Sequence, residues 1–248
     1  MRYRVLACDY DGTLVPDGRL DAPTMAALRD VRASGRRVVL VTGRELPDLL
    51  RLVSEPELFD RIVAENGALL YRPDSREERV LGDAPPGEFV SELVRRGIGP
   101  LSVGRAIVAT SRPNEQAVRD VIRDLGVDRQ VILNKDAVMI LPAGVDKATG
   151  LDAALAELDL SARQCVAVGD AENDEVFLCH AGRAVAVANA LPELKMIADL
   201  VTDGEYGSGV RELVSRLIAS DMAGVAQRRR RQAMRLKARD NGHLAGPR

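Results

Sequence analysis

The sequence predicts an α/β protein, a parallel sheet with helices on both faces and a small α+β module inserted in the chain. Three observations carry this. Short continuous apolar runs, VVLV at 38–41, CVAV at 165–168 and AVAV at 184–187, have no polar alternation, the pattern of strands buried on both faces. Between such runs lie segments with apolar residues at helical spacing. And 248 residues, 46% of them hydrophobic, bury a sizeable core. Strand and helix in alternation build βαβ units, hence a Rossmann-like core.

Along the chain, residues 3–8 form a β-type run, followed by a loop at 9–21. Residues 22–34 carry Met25, Leu28 and Val31 on one helical face, with Pro23 near the start and Gly35 as a stop. The VVLV run follows, then a short helix at 46–53 with Pro47 in its first turn, then a strand at 62–64. Residues 73–87 change character, being rich in Pro, Gly and charge. Beyond them we expect a helix at 88–96, a strand at 106–110, a helix at 114–125 and strands at 130–134 and 138–141. The alternation resumes with a helix from Lys147 to 158, the CVAV strand, a helix at 175–179 and the AVAV strand. The domain division expected is core 1–75, inserted cap 76–142, core 143–220 and basic tail 221–248.

Bulk composition narrows the partners. The net charge is −2, but residues 222–248 hold eight basic residues against one acid, so this +7 tail leaves −9 for residues 1–221. A body that acidic weighs against a broad nucleic-acid-binding face, and suits carboxylates neutralised by a metal. Aromatics are 3% and Trp is absent, which removes wide stacking surfaces for bases or sugars. Cys8, Cys165 and Cys179 show no metal spacing and read as reduced thiols of a cytoplasmic protein. No apolar run approaches 18 residues, and the N-terminus lacks a signal peptide's apolar stretch, so no membrane partner is expected. The tail itself reads as a solvated terminus.

Four motifs carry chemistry, each at a strand end or a helix start. Asp9-Tyr10-Asp11-Gly12-Thr13 follows the first strand, and ligands of open parallel sheets gather at the carboxyl ends of strands. Two carboxylates this close repel unless a cation binds or one keeps a proton, and a protonated Asp11 donates to a leaving group. Thr42-Gly43-Arg44 follows VVLV and offers a hydroxyl, a flexible backbone and a helix N-terminus to a phosphate, although Thr-Gly after a strand is also common loop chemistry. Lys147 opens a helix behind Asp146, where an ammonium is either a solvated charge or one that offsets charge on a transferring phosphoryl group, while Asp146 caps the helix. Asp170-Ala171-Glu172-Asn173-Asp174 sets four oxygen donors in five residues after CVAV, a set that suits a hard cation such as Mg²⁺.

In order and residue type these motifs resemble the haloacid dehalogenase superfamily of phosphatases, most closely its Cof-type branch, subfamily IIB. In that branch a cap lies between the second and third motifs, as residues 73–142 do here. Glu65-Asn66-Gly67-Ala68, Val187-Ala188-Asn189-Ala190 and Gly207-Ser208-Gly209-Val210 resemble its flanking segments, the last as a terminal glycine-rich loop. The resemblance covers residues 3–220. It implies that Asp9 is the nucleophile and that Asp11 is the acid that protonates the leaving oxygen and then activates water. Thr42 and Lys147 hold phosphoryl oxygens, with Gly43, Arg44 and Asn189 beside the phosphate. Mg²⁺ is the implied cofactor, held by Asp9, the backbone carbonyl of Asp11 and Asp170, with Asn173 and Asp174 in support.

The expected function is therefore Mg²⁺-dependent hydrolysis of a small phosphorylated metabolite through an aspartyl phosphate. The short cap resembles that of archaeal-type phosphoglycolate and sucrose-phosphate phosphatases, which implies phosphoglycolate or a sugar phosphate. Arg105, Arg112 and Lys135 are candidate cap contacts for a second anionic or hydroxyl group, and serve equally as surface charges. Two competing readings are a sugar phosphotransferase or mutase and a non-catalytic protein that binds through the basic tail. The mutase branch carries a different second motif, and a silent protein has no use for an intact catalytic set. His180 at a helix end and His243 in the tail receive no role.

Overall fold

The computed structural model describes residues 1–228. The first strand, β1 (Val5–Cys8), is followed by α1 (Ala22–Ala33), β2 (Arg37–Val41), α2 (Leu46–Leu52) and β3 (Arg61–Ala64). A hairpin, β4 (Leu69–Arg72) and β5 (Glu77–Val80), comes next. Then follow α3 (Gly87–Arg95), β6 (Ser102–Val103), β7 (Val108–Ser111), α4 (Glu115–Leu125), β8 (Arg129–Asn134) and β9 (Ala137–Pro142). The chain closes with α5 (Lys147–Glu157), β10 (Cys165–Gly169), α6 (Glu175–His180), β11 (Arg183–Ala186), α7 (Pro192–Ile197), β12 (Leu200–Val201) and α8 (Tyr206–Ser220).

Two sheets result. The larger runs β12-β11-β10-β1-β2-β3-β4-β5 and is parallel from β12 to β3, with the hairpin added antiparallel at one edge. Every residue of β1 and β10 is buried, as strands covered on both faces require. Helix α1 lies over β2 and against α8, while α5 lies over β2, β3 and β4 and against α6. The smaller sheet, β6-β7-β9-β8, is antiparallel. Its strands alternate: Val108 and Ile140 face α3 and α4 with Phe89, Leu93, Val118 and Val121, whereas Ile107, Met139 and Leu141 meet Ala68 of the large sheet's loop. Period-two alternation thus gives this sheet one face for its own helices and one for the core.

Three sequence expectations change. The inserted module does not begin at 76, because Glu77–Val80 is the edge strand of the large sheet. All four of its residues are exposed, so backbone pairing with β4 holds it and no apolar pattern announces it; its charges suit an unpaired edge. The segment 207–210, expected as a loop, opens α8 instead. A Cβ on Gly207 would lie 2.4 Å from Thr24 Oγ1, so close approach of α8 to α1 overrides the poor helix propensity of glycine. The ordered chain also runs past 220. Met222 is 2% exposed, the Asp221 carboxylate accepts the N–H groups of Arg2 and Tyr3 and pairs with Arg36, and the Arg228 N–H donates to Asp199. The rest of the basic run falls at 229–248, outside the described residues.

Beyond its pairing with β3, the hairpin is tied to the core by a carboxylate. Glu157 at the end of α5 accepts from Arg72 (2.8 Å) and Arg61 (2.7 Å), with Arg79 at 3.5 Å. Hydrogen bonds from Arg72, then Arg61, hold the Glu157 carboxyl down to about 2. A carboxylate held below its unfolded value, about 4.3, stabilises the fold fully above that value and loses the contribution as pH falls toward 2. Glu157→Gln is therefore expected to be less stable than wild type by a constant margin from pH 7 to about 5, a margin that closes at lower pH. Urea unfolding across that range measures it, and a gap that ignores pH would remove the ion cluster as its cause.

Candidate active site

The large sheet reverses its winding between β1 and β10, which pair in register with Cys8 opposite Val168. Loops leaving these two strands diverge and leave a crevice at their carboxyl ends. Asp9 and Asp170 are the first residues beyond the two strands, so the first and fourth motifs face each other across it. The Asp9 N–H bonds to the Val168 carbonyl at 3.0 Å, which fixes the nucleophile candidate to the neighbouring strand. Gly12 turns the loop back at φ +84°, and a Cβ there would lie 2.2 Å from an Asp170 oxygen. The turn and the carboxylate occupy one space, and only glycine admits both. Thr13 Oγ1 then donates to Asp170 at 3.0 Å.

Lys147 is the hub. It starts α5, whose N-cap Asp146 accepts the N–H groups of Ala148 and Thr149. Its ammonium lies 2.6 Å from Asp9 and 2.6 Å from Asp174, and its side chain is 1% exposed. Asp174 spends its other oxygen on the N–H groups of Asp170 and Ala171, at 2.8 and 3.0 Å, so it shapes the loop that presents Asp170. Asp9, Asp170 and Asp174 offer oxygens within 4.8 Å of one another, all buried. Lys135 reaches from the β8–β9 turn to Asp170 at 2.8 Å. Two ammonium groups against three carboxylates leave the cluster one positive charge short. Burial, with Asp174 close by, pushes the Asp9 carboxyl well above the usual carboxylate range, against the pull of Lys147. Burial opposes the charge on Lys147, yet Asp174 and Asp9 keep it protonated. A hard divalent cation supplies the missing charge, and three carboxylates are the donors such an ion takes; the chemistry of the set fits Mg²⁺.

The second motif lies alongside. Thr42 is fully buried after β2, and its hydroxyl oxygen accepts the Arg44 N–H at 3.1 Å. Arg44 makes a two-pronged contact with Asp11, at 2.7 and 2.6 Å, which holds the Asp11 side chain apart from the acidic cluster. Gly43 faces Met139 of the small sheet. Asn173 donates to Asn66 at 2.8 Å, so its amide links the fourth motif to the loop after β3. Asn189 stands beside the first motif. Its amide donates to the Gly12 carbonyl at 2.7 Å and accepts the Tyr206 N–H at 2.8 Å. Both ends are occupied by backbone, so it clamps the first motif to the start of α8.

Between the two sheets lies a cavity of about 180 Å³. Asp9, Asp11, Gly43 and Arg44 line it from the core, and Ala109, Asn134, Ala137 and Met139 from the small sheet. A larger depression, about 550 Å³, opens among Arg32, Arg37, Asp60, Arg61 and Glu157. It includes none of these motif residues, and its charges are engaged with one another, so the chemistry points to the smaller cavity.

One residue that the sequence reading named only within a flanking segment has a definite place. Glu65 is 1% exposed at φ 49°, and its carboxylate accepts the N–H groups of Arg105, Ala106 and Ile107 at 2.8, 2.8 and 3.1 Å. It thereby anchors the entry to β7 over the cavity. An acid directly after an apolar strand, ahead of Asn-Gly, was the available signal; its partners lie forty residues away and carry no side-chain cue. On the other side of the cavity, Glu172 accepts the Lys135 N–H at 3.0 Å.

This geometry agrees with what the chain is similar to. A model of the haloacid dehalogenase-like hydrolase family matches residues 6–95 and 131–214. The chain belongs to that family. The unmatched stretch is the middle of the small-sheet module of this hydrolase. A phosphoglycolate phosphatase of Methanothermobacter thermautotrophicus is 34% identical over 87% of the chain and 99% of its own length. Another, from Haloarcula marismortui, is 35% identical over 85% of the chain and 95% of its own. Among solved structures, a haloacid dehalogenase-like hydrolase from Bacteroides thetaiotaomicron superposes with a TM-score of 0.74 at 20% identity, covering 87% of this chain and 99% of that one. A subclass IIB sugar phosphatase superposes at 0.71, also at 20% identity, over 86% and 98%. These two carry the fold.

Proposed function

We propose that the hydrolase is a Mg²⁺-dependent phosphatase of small phosphorylated metabolites, working through a phosphate ester of Asp9. The observation that carries this is the gathering of Asp9, Asp170 and Asp174 within 4.8 Å around Lys147, at the sheet's switch point and beside the capped cavity. An Asp9 oxygen attacks phosphorus while the ester P–O bond breaks, and Asp11 gives its proton to the departing oxygen. Asp11 then takes a proton from water, whose oxygen attacks phosphorus and breaks the bond to Asp9, releasing phosphate. Thr42, Gly43 and Lys147 stand around the transferring oxygens, and an anionic substrate competes with Asp11 for Arg44. Asp9, Asp170 and the Asp11 carbonyl would hold the ion, with Asp174 and Asn173 supporting. Bound there, the ion neutralises charge that develops on the phosphoryl oxygens.

The substrate reading is phosphoglycolate or a sugar phosphate. A cavity of about 180 Å³ covered from the small sheet by two alanines and one methionine besides Asn134 favours the smaller, as do the relatives named phosphoglycolate phosphatases. We place the enzyme in the cytoplasm, where Cys8 and Cys165 stay buried thiols, the latter pushed by burial up to about 12. No helix among the described residues is long and apolar enough to cross a membrane.

The test is phosphate release from phosphoglycolate, sugar phosphates and nucleotides, with Mg²⁺ or with chelator. Turnover is expected only with the metal. Asp170→Ala is expected to raise the Mg²⁺ concentration for half-maximal rate by more than about tenfold, or to end turnover. An unchanged magnesium response would remove Asp170 from the metal site.

A further inference from the structure

We infer that Lys135, in the β8–β9 turn, selects substrates by a negative charge on the leaving group, with Asn134 beside it. The inference rests on the phosphatase reading and narrows its substrate class to compact phosphorylated hydroxy acids, whose carboxylate meets the ammonium. Three basic residues of the small-sheet module were candidates for such a contact. Arg105 pairs with Glu78 at 3.3 Å, its side chain 64% exposed. Arg112 supports the turn, donating to the Lys135 carbonyl at 2.6 Å and lying 3.6 Å from Glu172. Lys135 alone among the three contacts the acidic cluster.

Its position is built. Lys135 is the first of two residues joining β8 and β9 and has φ 52°, a left-handed conformation that a lysine adopts at a cost and that surrounding contacts must maintain. Those contacts are Glu172 on its N–H and Arg112 on its carbonyl. They aim the side chain at the crevice, where the ammonium finds Asp170 at 2.8 Å. Next to it, Asn134 lines the cavity, and its Oδ1 is buried with no hydrogen-bond partner. The other cavity-lining groups from this module, Ala109, Ala137 and Met139, are apolar. Among the module's lining residues the polar group is therefore Asn134, at the end of β8 beside Lys135.

Charge balance decides what the turn recognises. Asp170 is among the carboxylates proposed to hold a divalent cation, and a cation there takes the carboxylate from Lys135 and repels the ammonium. Asp9 and Asp174 are already shared with Lys147, and Asp11 with Arg44. Glu172 is engaged by the Lys135 N–H and lies 3.6 Å from Arg112, so among the described residues the anion left for the ammonium is one the substrate brings. With a neutral leaving group the ammonium, on a side chain 52% exposed, turns to solvent, so discrimination comes from the contact that a carboxylate adds.

The experiment compares phosphoglycolate with 2-hydroxyethyl phosphate, which replaces the carboxylate by a neutral hydroxymethyl of similar size, using the full chain with Mg²⁺. Wild type is expected to prefer phosphoglycolate in kcat/KM. In Lys135→Met that preference ratio should fall about 10- to 100-fold, the value of a hydrogen bond to a charged group, chiefly through KM, with Lys135→Arg retaining part of it. An unchanged ratio overturns the inference. Calorimetric titration of the substrate-free variant with Mg²⁺ gives a second reading. Lys135→Met should bind the ion as tightly as wild type or tighter, because a competing cation has left Asp170; weaker binding would make Lys135 a support of the acidic cluster and overturn its role in selection. Wild type that turns over no phosphomonoester at all would overturn the phosphatase reading and this one with it.

Discussion

Asp9→Asn is expected to lower turnover by at least about 10³-fold while leaving the fold as stable as wild type or more so. The two halves of this result have one cause. The amide keeps an oxygen for Lys147, 2.6 Å away, but has no charge with which to attack phosphorus. It also removes one carboxylate from a buried cluster in which three carboxylates face two ammonium groups, and relief of that imbalance stabilises. Catalytic groups held against their own repulsion often behave this way when neutralised. Steady-state phosphate release and thermal unfolding of the same preparation check both halves. Near-wild-type turnover would end the covalent mechanism, and a large loss of stability would show that the Asp9 charge holds the fold together.

Lys147→Met should behave in the opposite sense for stability and in the same sense for activity. It removes the ammonium from between Asp9 and Asp174, whose side chains are 6% and 0% exposed. Deleting one partner from a buried ion pair costs about 3–5 kcal/mol, because the charge left behind has neither water nor counter-ion. Here two carboxylates are left behind, so the upper part of that range is expected at neutral pH. Methionine fills similar volume, so a packing void is not the source. Urea unfolding measures the loss, and turnover should vanish in whatever fraction remains folded. A variant with wild-type stability would mean that the two carboxylates do not depend on Lys147.

Much of this was legible in the residues. The runs 38–41 and 165–168 carry no polar position, so they demand cover on both faces, and that demand produces the doubly covered sheet. Asp9, Thr42, Lys147 and Asp170 each sit at the end of such a run or at the start of the helix after it, and strand ends are where an open sheet gathers ligands. Three features were not legible, each because its cause lies elsewhere in the chain. The exposed strand Glu77–Val80 exists because Leu69–Arg72 offers it a backbone edge. Gly207 lies in a helix because α8 presses on α1, and Gly209 because α8 presses on the loop at Thr202 and Gly204. Met222 is buried because Asp221 is held by Arg36 and by the N-terminal backbone.

By itself the sequence determined which side chains carry charge or a nucleophilic oxygen, and that their local frames present them at strand ends and helix starts. Local signals suffice for this, since caps, turns and burial patterns act over a few residues. Tertiary structure alone decided how those side chains are employed. It joined Glu65 to backbone groups forty residues on and spent both ends of Asn189 on Gly12 and Tyr206. It also brought Lys135, one of three equivalent basic residues in the sequence, to 2.8 Å from Asp170. A charge acts through the distance to its partner, and that distance is a property of the folded chain.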